Sequence, residues 1–167
     1  MRTALDAPTE ALDEHEQNFV AKIREHGWMR TTVFADEDGP GFCYTTGFWL
    51  ATGFPEIIVF SLKTETAHSI LWDLFKDLQS GKRPAMGKPM PDIFGNIKAA
   101  LVPCAKKYYR NYLGWNRWFY AGDEFECLQL VWPDTVGIFP WQPNFDERFR
   151  SDQPDLTEAG WIAALAQ

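Results

Sequence analysis

The chain has 167 residues, a formal net charge of −7, 46% hydrophobic residues and 16% aromatic ones. That length suits one domain with a substantial core, and no run of about 18 apolar residues offers a transmembrane helix. Three cysteines (Cys43, Cys104, Cys127) without a CxxC pair argue against a disulfide framework or a zinc site of the usual spacing. The negative total argues against broad nucleic-acid coverage, whose affinity comes mainly from phosphate contacts.

Residues 1–9 read as a flexible lead-in, 10–145 as a single domain, and 146–167 as a charged tail with a short helix. The polar, acidic start has no apolar signal core, so a cytoplasmic location is expected. From Glu10 to Glu25 the positions Leu12, Phe19, Val20 and Ile23 mark one face of a helix, which His26-Gly27 ends. Trp28–Ala35 and Phe42–Phe48 are rich in β-branched and aromatic residues, and the turn cluster Asp36–Gly41 joins them into a hairpin. After a loop over Trp49–Pro55, the apolar run Glu56–Ser61 predicts a strand buried on both faces.

Ala67, Ile70, Leu71, Leu74, Phe75 and Leu78 carry the clearest helical stripe, with Thr64 or Thr66 as the cap and Gly81 as the stop. Ser80–Asn96 holds three prolines and three glycines and predicts a long surface loop. Ile97–Pro103 reads as a short strand, and Ala105–Tyr120 as helical turns broken at Gly114. A core hairpin over Glu126–Phe139, turning at Pro133-Asp134 and Gly137, is expected to close the sheet, and Thr157–Ala166 supplies a short terminal helix. The fold class is therefore α+β: a single domain with a curved, largely antiparallel β-sheet flanked by two or three helices.

Charge is distributed unevenly. Between Ser80 and Trp118 stand eight basic residues and one acid, Asp92, a local +7 that leaves −14 for the rest. Such asymmetry permits an anion-binding face on an acidic protein. Lys106, Lys107 and Arg110 alternate there with Tyr108, Tyr109 and Tyr112, a pattern that can hold a phosphate and stack a ring.

No P-loop, GxGxxG, GxSxG or HExxH motif is present. Of the three histidines, His15 reads as solvated and His26 as a helix-end residue, while His68 is the candidate general base. Cys43, flanked by Phe42 and Tyr44, reads as strand packing rather than a nucleophile. No metal site and no cofactor are expected.

Several segments together resemble an uncharacterised bacterial family, domain of unknown function 4262. They are His26-Gly27-Trp28, Phe42–Phe48, Phe54–Ser61, Thr66-Ala67-His68, Tyr112–Gly114 with Arg117–Tyr120 and, most distinctively, Leu128–Asp134 with Phe139–Trp141. The resemblance spans roughly residues 12 to 145 and carries no established activity. The family usually reads histidine where this chain has Phe54, ahead of Pro55-Glu56. His68, Arg117, Gln129 and Asp134 are among the matching residues, as candidates for a shared polar site.

The expected function is a binding or interaction module. Its basic–aromatic pocket would be lined by Tyr44, Arg117, Gln129, Trp132 and Asp134. The partner would be a small anionic ligand or a protein, for example a toxin that it masks. Nucleic acid and membrane are not expected partners. The alternative is a hydrolase or transferase with His68 as general base and Arg117 holding an anionic group.

Overall fold

The computed structural model describes residues 1–92 and 95–166. Ile93 and Phe94, inside the loop expected over Ser80–Asn96, and the terminal Gln167 lie outside the described residues. The elements in order are α1 (Glu14–His26), β1 (Met29–Val33), β2 (Phe42–Thr46), α2 (Phe48–Thr52), β3 (Glu56–Phe60), α3 (Thr64–Gln79), β4 (Met90–Asp92), β5 (Gly95–Pro103), α4 (Tyr109–Tyr112), α5 (Gly114–Phe119), β6 (Cys127–Val131) and α6 (Trp161–Leu165). Among the described residues, no helix is long and apolar enough to cross a membrane.

The strands form one sheet in the order β1-β2-β3-β6-β5-β4, and every pairing is antiparallel except β3 with β6. The fold is α+β, with a largely antiparallel sheet. Strand alternation sends Cys43, Ile57, Val59, Leu128 and Leu130 to the face covered by α3, where they meet Leu71, Leu74 and Phe75. Tyr44, Ile58, Phe60 and Cys127 point to the opposite face and meet Phe19 and Ile23 of α1, Tyr109 of α4 and Phe119 of α5. Both β3 and β6 are buried along their whole length. That matches the near-continuous apolar run read for β3. Each fully buried large apolar side chain contributes about 1.5–3 kcal/mol.

Helix ends follow local chemistry. Asp13 caps α1 in a reciprocal capping box with Glu16, and Gly27 ends it at φ 86. Three segments depart from the pattern read in the chain. Phe48 does not continue β2, because Gly47 turns left-handed at φ 116 and starts α2 inside the expected loop. The Ser80–Asn96 stretch is not all loop, since Met90 of β4 pairs with Ala99 of β5. The Glu126–Phe139 hairpin does not form. β6 instead lies between β3 and β5, inside the sheet, and after Val131 the chain turns without pairing. Pro133 has no N–H to offer a partner strand. Asp134 satisfies the backbone of that turn with its own carboxylate, accepting from Val136, Ile138 and Asp146 N–H.

The segment after Pro143 also packs into the fold. Leu156 joins the cluster under α4 and α5, and Trp161 and Leu165 of α6 pack against Ala100, Val102 and Val131. Ala105 N–H donates to the Leu156 carbonyl at 2.7 Å.

Candidate functional site

Three short-range spacings meet beside the β1 edge of the sheet. Lys22 and His26 are four apart on the last turns of α1, and His68 and Trp72 are four apart on α3, so each pair shares a helix face. Trp28 and Arg30 are two apart around the start of β1, so both project to the α3 side. With Met29 and Ser69 they line an open hollow of about 670 Å³.

One wall is aromatic. The His68 ring lies 6.0 Å from Trp28 at 19° and 6.3 Å from Trp72 at 27°, and His26 approaches Trp72 edge-on at 6.4 Å. Trp28 is 3% exposed and Trp72 38%. The remaining wall carries hydrogen-bond donors and positive charge. Lys22 and Arg30 are cations, and among the described residues no aspartate or glutamate lines the hollow, although Glu25 sits 3.6 Å from His26.

Two donors are unusual. The Trp28 indole Nε1–H and the Arg30 Nε–H are buried without a hydrogen-bond partner, two of four such atoms among the described residues. The others, Thr31 Oγ1 and Asn116 Nδ2, belong to the opposite side of the sheet. Arg30 makes one bond, from Nη1 to the Thr64 carbonyl at 3.3 Å. A buried donor without an acceptor costs about 1–3 kcal/mol, and both of these donors sit on side chains that line the hollow. Burial, and then the charge on Arg30, hold the His68 imidazole below its usual pKa. It therefore stands neutral at neutral pH, which favours stacking.

A second polar cluster holds this hollow in place. Glu56, fully buried, accepts from the Thr45 and Tyr120 hydroxyls at 2.5 Å each. It also accepts from the backbone N–H groups of Gly47 (2.8 Å), Phe48 (3.2 Å) and Trp49 (3.1 Å). The carboxylate thus takes up the free donors at the start of α2, where a helix favours negative charge. Burial pushes the Glu56 carboxyl up to about 7, against the lowering effect of these bonds. Gly47, held by that carboxylate, presses on the chain entering the hollow. A Cβ at Gly47 would lie 2.8 Å from Trp28 Cα and closer still to the Gly27 carbonyl oxygen. No side chain fits there, so Glu56, Gly47 and Gly27 together fix where Trp28 stands. Phe54 packs in the α3-side core.

The residues expected to line a pocket do other things. Tyr44 and Gln129 flank Ile58 in one cross-strand row. The Tyr44 hydroxyl accepts from Trp115 N–H at 3.1 Å. Gln129 donates to the Pro154 carbonyl at 2.8 Å and accepts from Leu156 N–H. Trp132 packs under α3 instead, its indole N–H donating to the Phe60 carbonyl at 2.9 Å. Desolvation pushes the Asp134 carboxyl up, and the N–H groups of Ile138, Asp146 and Val136 outweigh it, leaving the group below the usual carboxylate range. Arg117 donates to Asp123 at 2.7 Å. His68 and Arg117 are not brought together, because α3 and α5 cover opposite faces of the sheet. The cation near His68 is Arg30.

Part of the basic segment is engaged internally as well. Arg83 donates to the Thr52, Leu78 and Lys82 carbonyls, Lys82 pairs with Asp77, and Lys107 pairs with Glu158. The Cys43 thiol is pushed up to about 11 by burial, which leaves it a packing residue at neutral pH.

Fold and hollow define an α+β domain with a donor-lined aromatic recess at one sheet edge. The chain belongs to the family described as Domain of unknown function (DUF4262), which it matches over residues 22–146. That span contains the whole lining of the recess. No curated protein and no solved structure matches the chain.

Proposed function

We propose that this protein is a binding module for a small anionic ligand, with the recess between α1, β1 and α3 as its site. The observation that carries the reading is the pair of buried, unpartnered donors, Trp28 Nε1–H and Arg30 Nε–H, in a lining without carboxylates. Lys22 and Arg30 supply charge, and the low pKa of His68 keeps that ring from adding a third fixed cation to repel them. The size falls in the range of small-molecule sites. Trp28 is fixed in place by Glu56 and Gly47, so that part of the site is formed before a ligand arrives, which lowers the cost of binding.

The test is an NMR titration of nitrogen-15-labelled protein with phosphate, adenosine 5′-monophosphate and indole-3-acetate. The Trp28 indole N–H resonance should move downfield as it gains an acceptor, and Arg30→Met should weaken the response at least tenfold. If no anion shifts that resonance, the recess is not an anion site.

A further inference from the structure

We infer that the ligand is a flat aromatic ring carrying an acid group, the ring lying against Trp72 and His68 and the acid group meeting Arg30 and the Trp28 indole N–H. This rests on the anion-binding reading above and names the class of anion. Three observations support it. The recess, at about 670 Å³, is much larger than a bare inorganic anion requires and suits an organic molecule. Its exposed wall is a pair of rings, Trp72 and His68, inclined by only 27°, with His26 edge-on at the rim. Such a wall favours offset stacking of a third ring, worth about 0.5–1.5 kcal/mol beyond the area buried.

The third observation is the separation of functions within the lining. The unpartnered donors are on Trp28 and Arg30, which enter from the strand, whereas the open ring surface is on α3. A ligand satisfying both must present acceptors at one end and a π face at the other. A bare anion would leave Trp72 as an exposed tryptophan with nothing to cover it, and a neutral ring would leave the two buried donors unmet. The acid group is a carboxylate or a phosphate, since both offer several acceptor oxygens to a guanidinium.

Isothermal titration calorimetry with four probes tests the class: inorganic phosphate, adenosine, adenosine 5′-monophosphate and indole-3-acetate. At least one of the two aromatic anions should bind at least tenfold more tightly than both phosphate and adenosine. Which of the two is tighter tells phosphate from carboxylate as the acid group. Trp72→Ala, a change at a partly exposed position, should remove most of that advantage and leave phosphate binding unchanged. Phosphate binding as tightly as the better aromatic anion overturns this inference but leaves the anion site standing. Adenosine binding as tightly as the better aromatic anion removes the need for the acid group and overturns both. Silence from all four probes, in protein whose fold is verified by its NMR spectrum, also overturns both.

Discussion

Two buried polar centres lie within a few residues of each other and differ in one respect. Glu56 is surrounded by donors: five groups, three of them at the start of α2, converge on its carboxylate. The Trp28 Nε1–H and the Arg30 Nε–H have no acceptor among the described residues. A buried polar group that is fully met specifies a local structure, and one left unmet at the wall of a cavity has capacity to spare for a ligand. The two centres are joined through Gly47, whose backbone is bonded to Glu56 on one side and packed against Gly27 and Trp28 on the other.

The largest test of this contrast is Glu56→Ala. It leaves five donors without an acceptor, and chemical denaturation should show a loss of about 3–5 kcal/mol. A loss under about 1 kcal/mol would mean that the α2 start is hydrated and that the met centre is not structural. Because burial raises the folded carboxyl to about 7, above its ordinary value of 4.5, the native state holds this proton more tightly than the unfolded chain does. Its contribution is fully present below about pH 4.5 and is lost as pH rises through about 7. The unfolding free energy should therefore fall across that window by up to about 3 kcal/mol, and Glu56→Gln should flatten the slope.

A smaller effect compares two tryptophans directly. Trp132→Phe removes an N–H that donates to the Phe60 carbonyl, and Trp28→Phe removes one that has no acceptor among the described residues. The volume change is the same, so the lost hydrogen bond should make the Trp132 variant less stable by about 1 kcal/mol. Trp28→Phe should instead show its effect in ligand affinity. Equal losses of stability would mean that the Trp28 indole has an internal partner after all. The smallest effect belongs to Arg117→Ala. Its pair with Asp123 is more than a third exposed on both sides, so thermal unfolding should register under about 1 kcal/mol.

Much of the fold was legible in the chain because its signals are local. The stripe from Ala67 to Leu78 gave α3, and the apolar run from Glu56 gave β3. His26-Gly27 gave the end of α1, and the turn cluster gave the β1–β2 pair. The Glu126–Phe139 reading failed for a physical reason: a carboxylate can satisfy a turn that a partner strand would otherwise satisfy, and sequence spacing does not distinguish the two. The residues expected to line a pocket are engaged internally for a related reason. Gln129, Trp132 and Asp134 were notable as polar or amphipathic residues among aromatics. In the fold that character is spent on Pro154, Phe60 and the turn after Pro133. His68, read in the chain as a candidate general base with Arg117, lines a recess with Arg30, because α3 and α5 take opposite faces of the sheet and nothing in the chain says so.

By itself, then, the sequence determined most helices and strands, the α+β class and the family resemblance, which rest on short periodicities, local caps and short motifs. Tertiary structure alone decided that β6 enters the middle of the sheet beside β3, and that a glutamate in an apolar strand holds the start of a helix. It alone brought Lys22, Trp28, Arg30, His68 and Trp72 to one hollow. The reason is that an unmet donor is a property of surroundings: whether the N–H of Trp28 has a partner depends on every element that packs near it, and no stretch of chain carries that information.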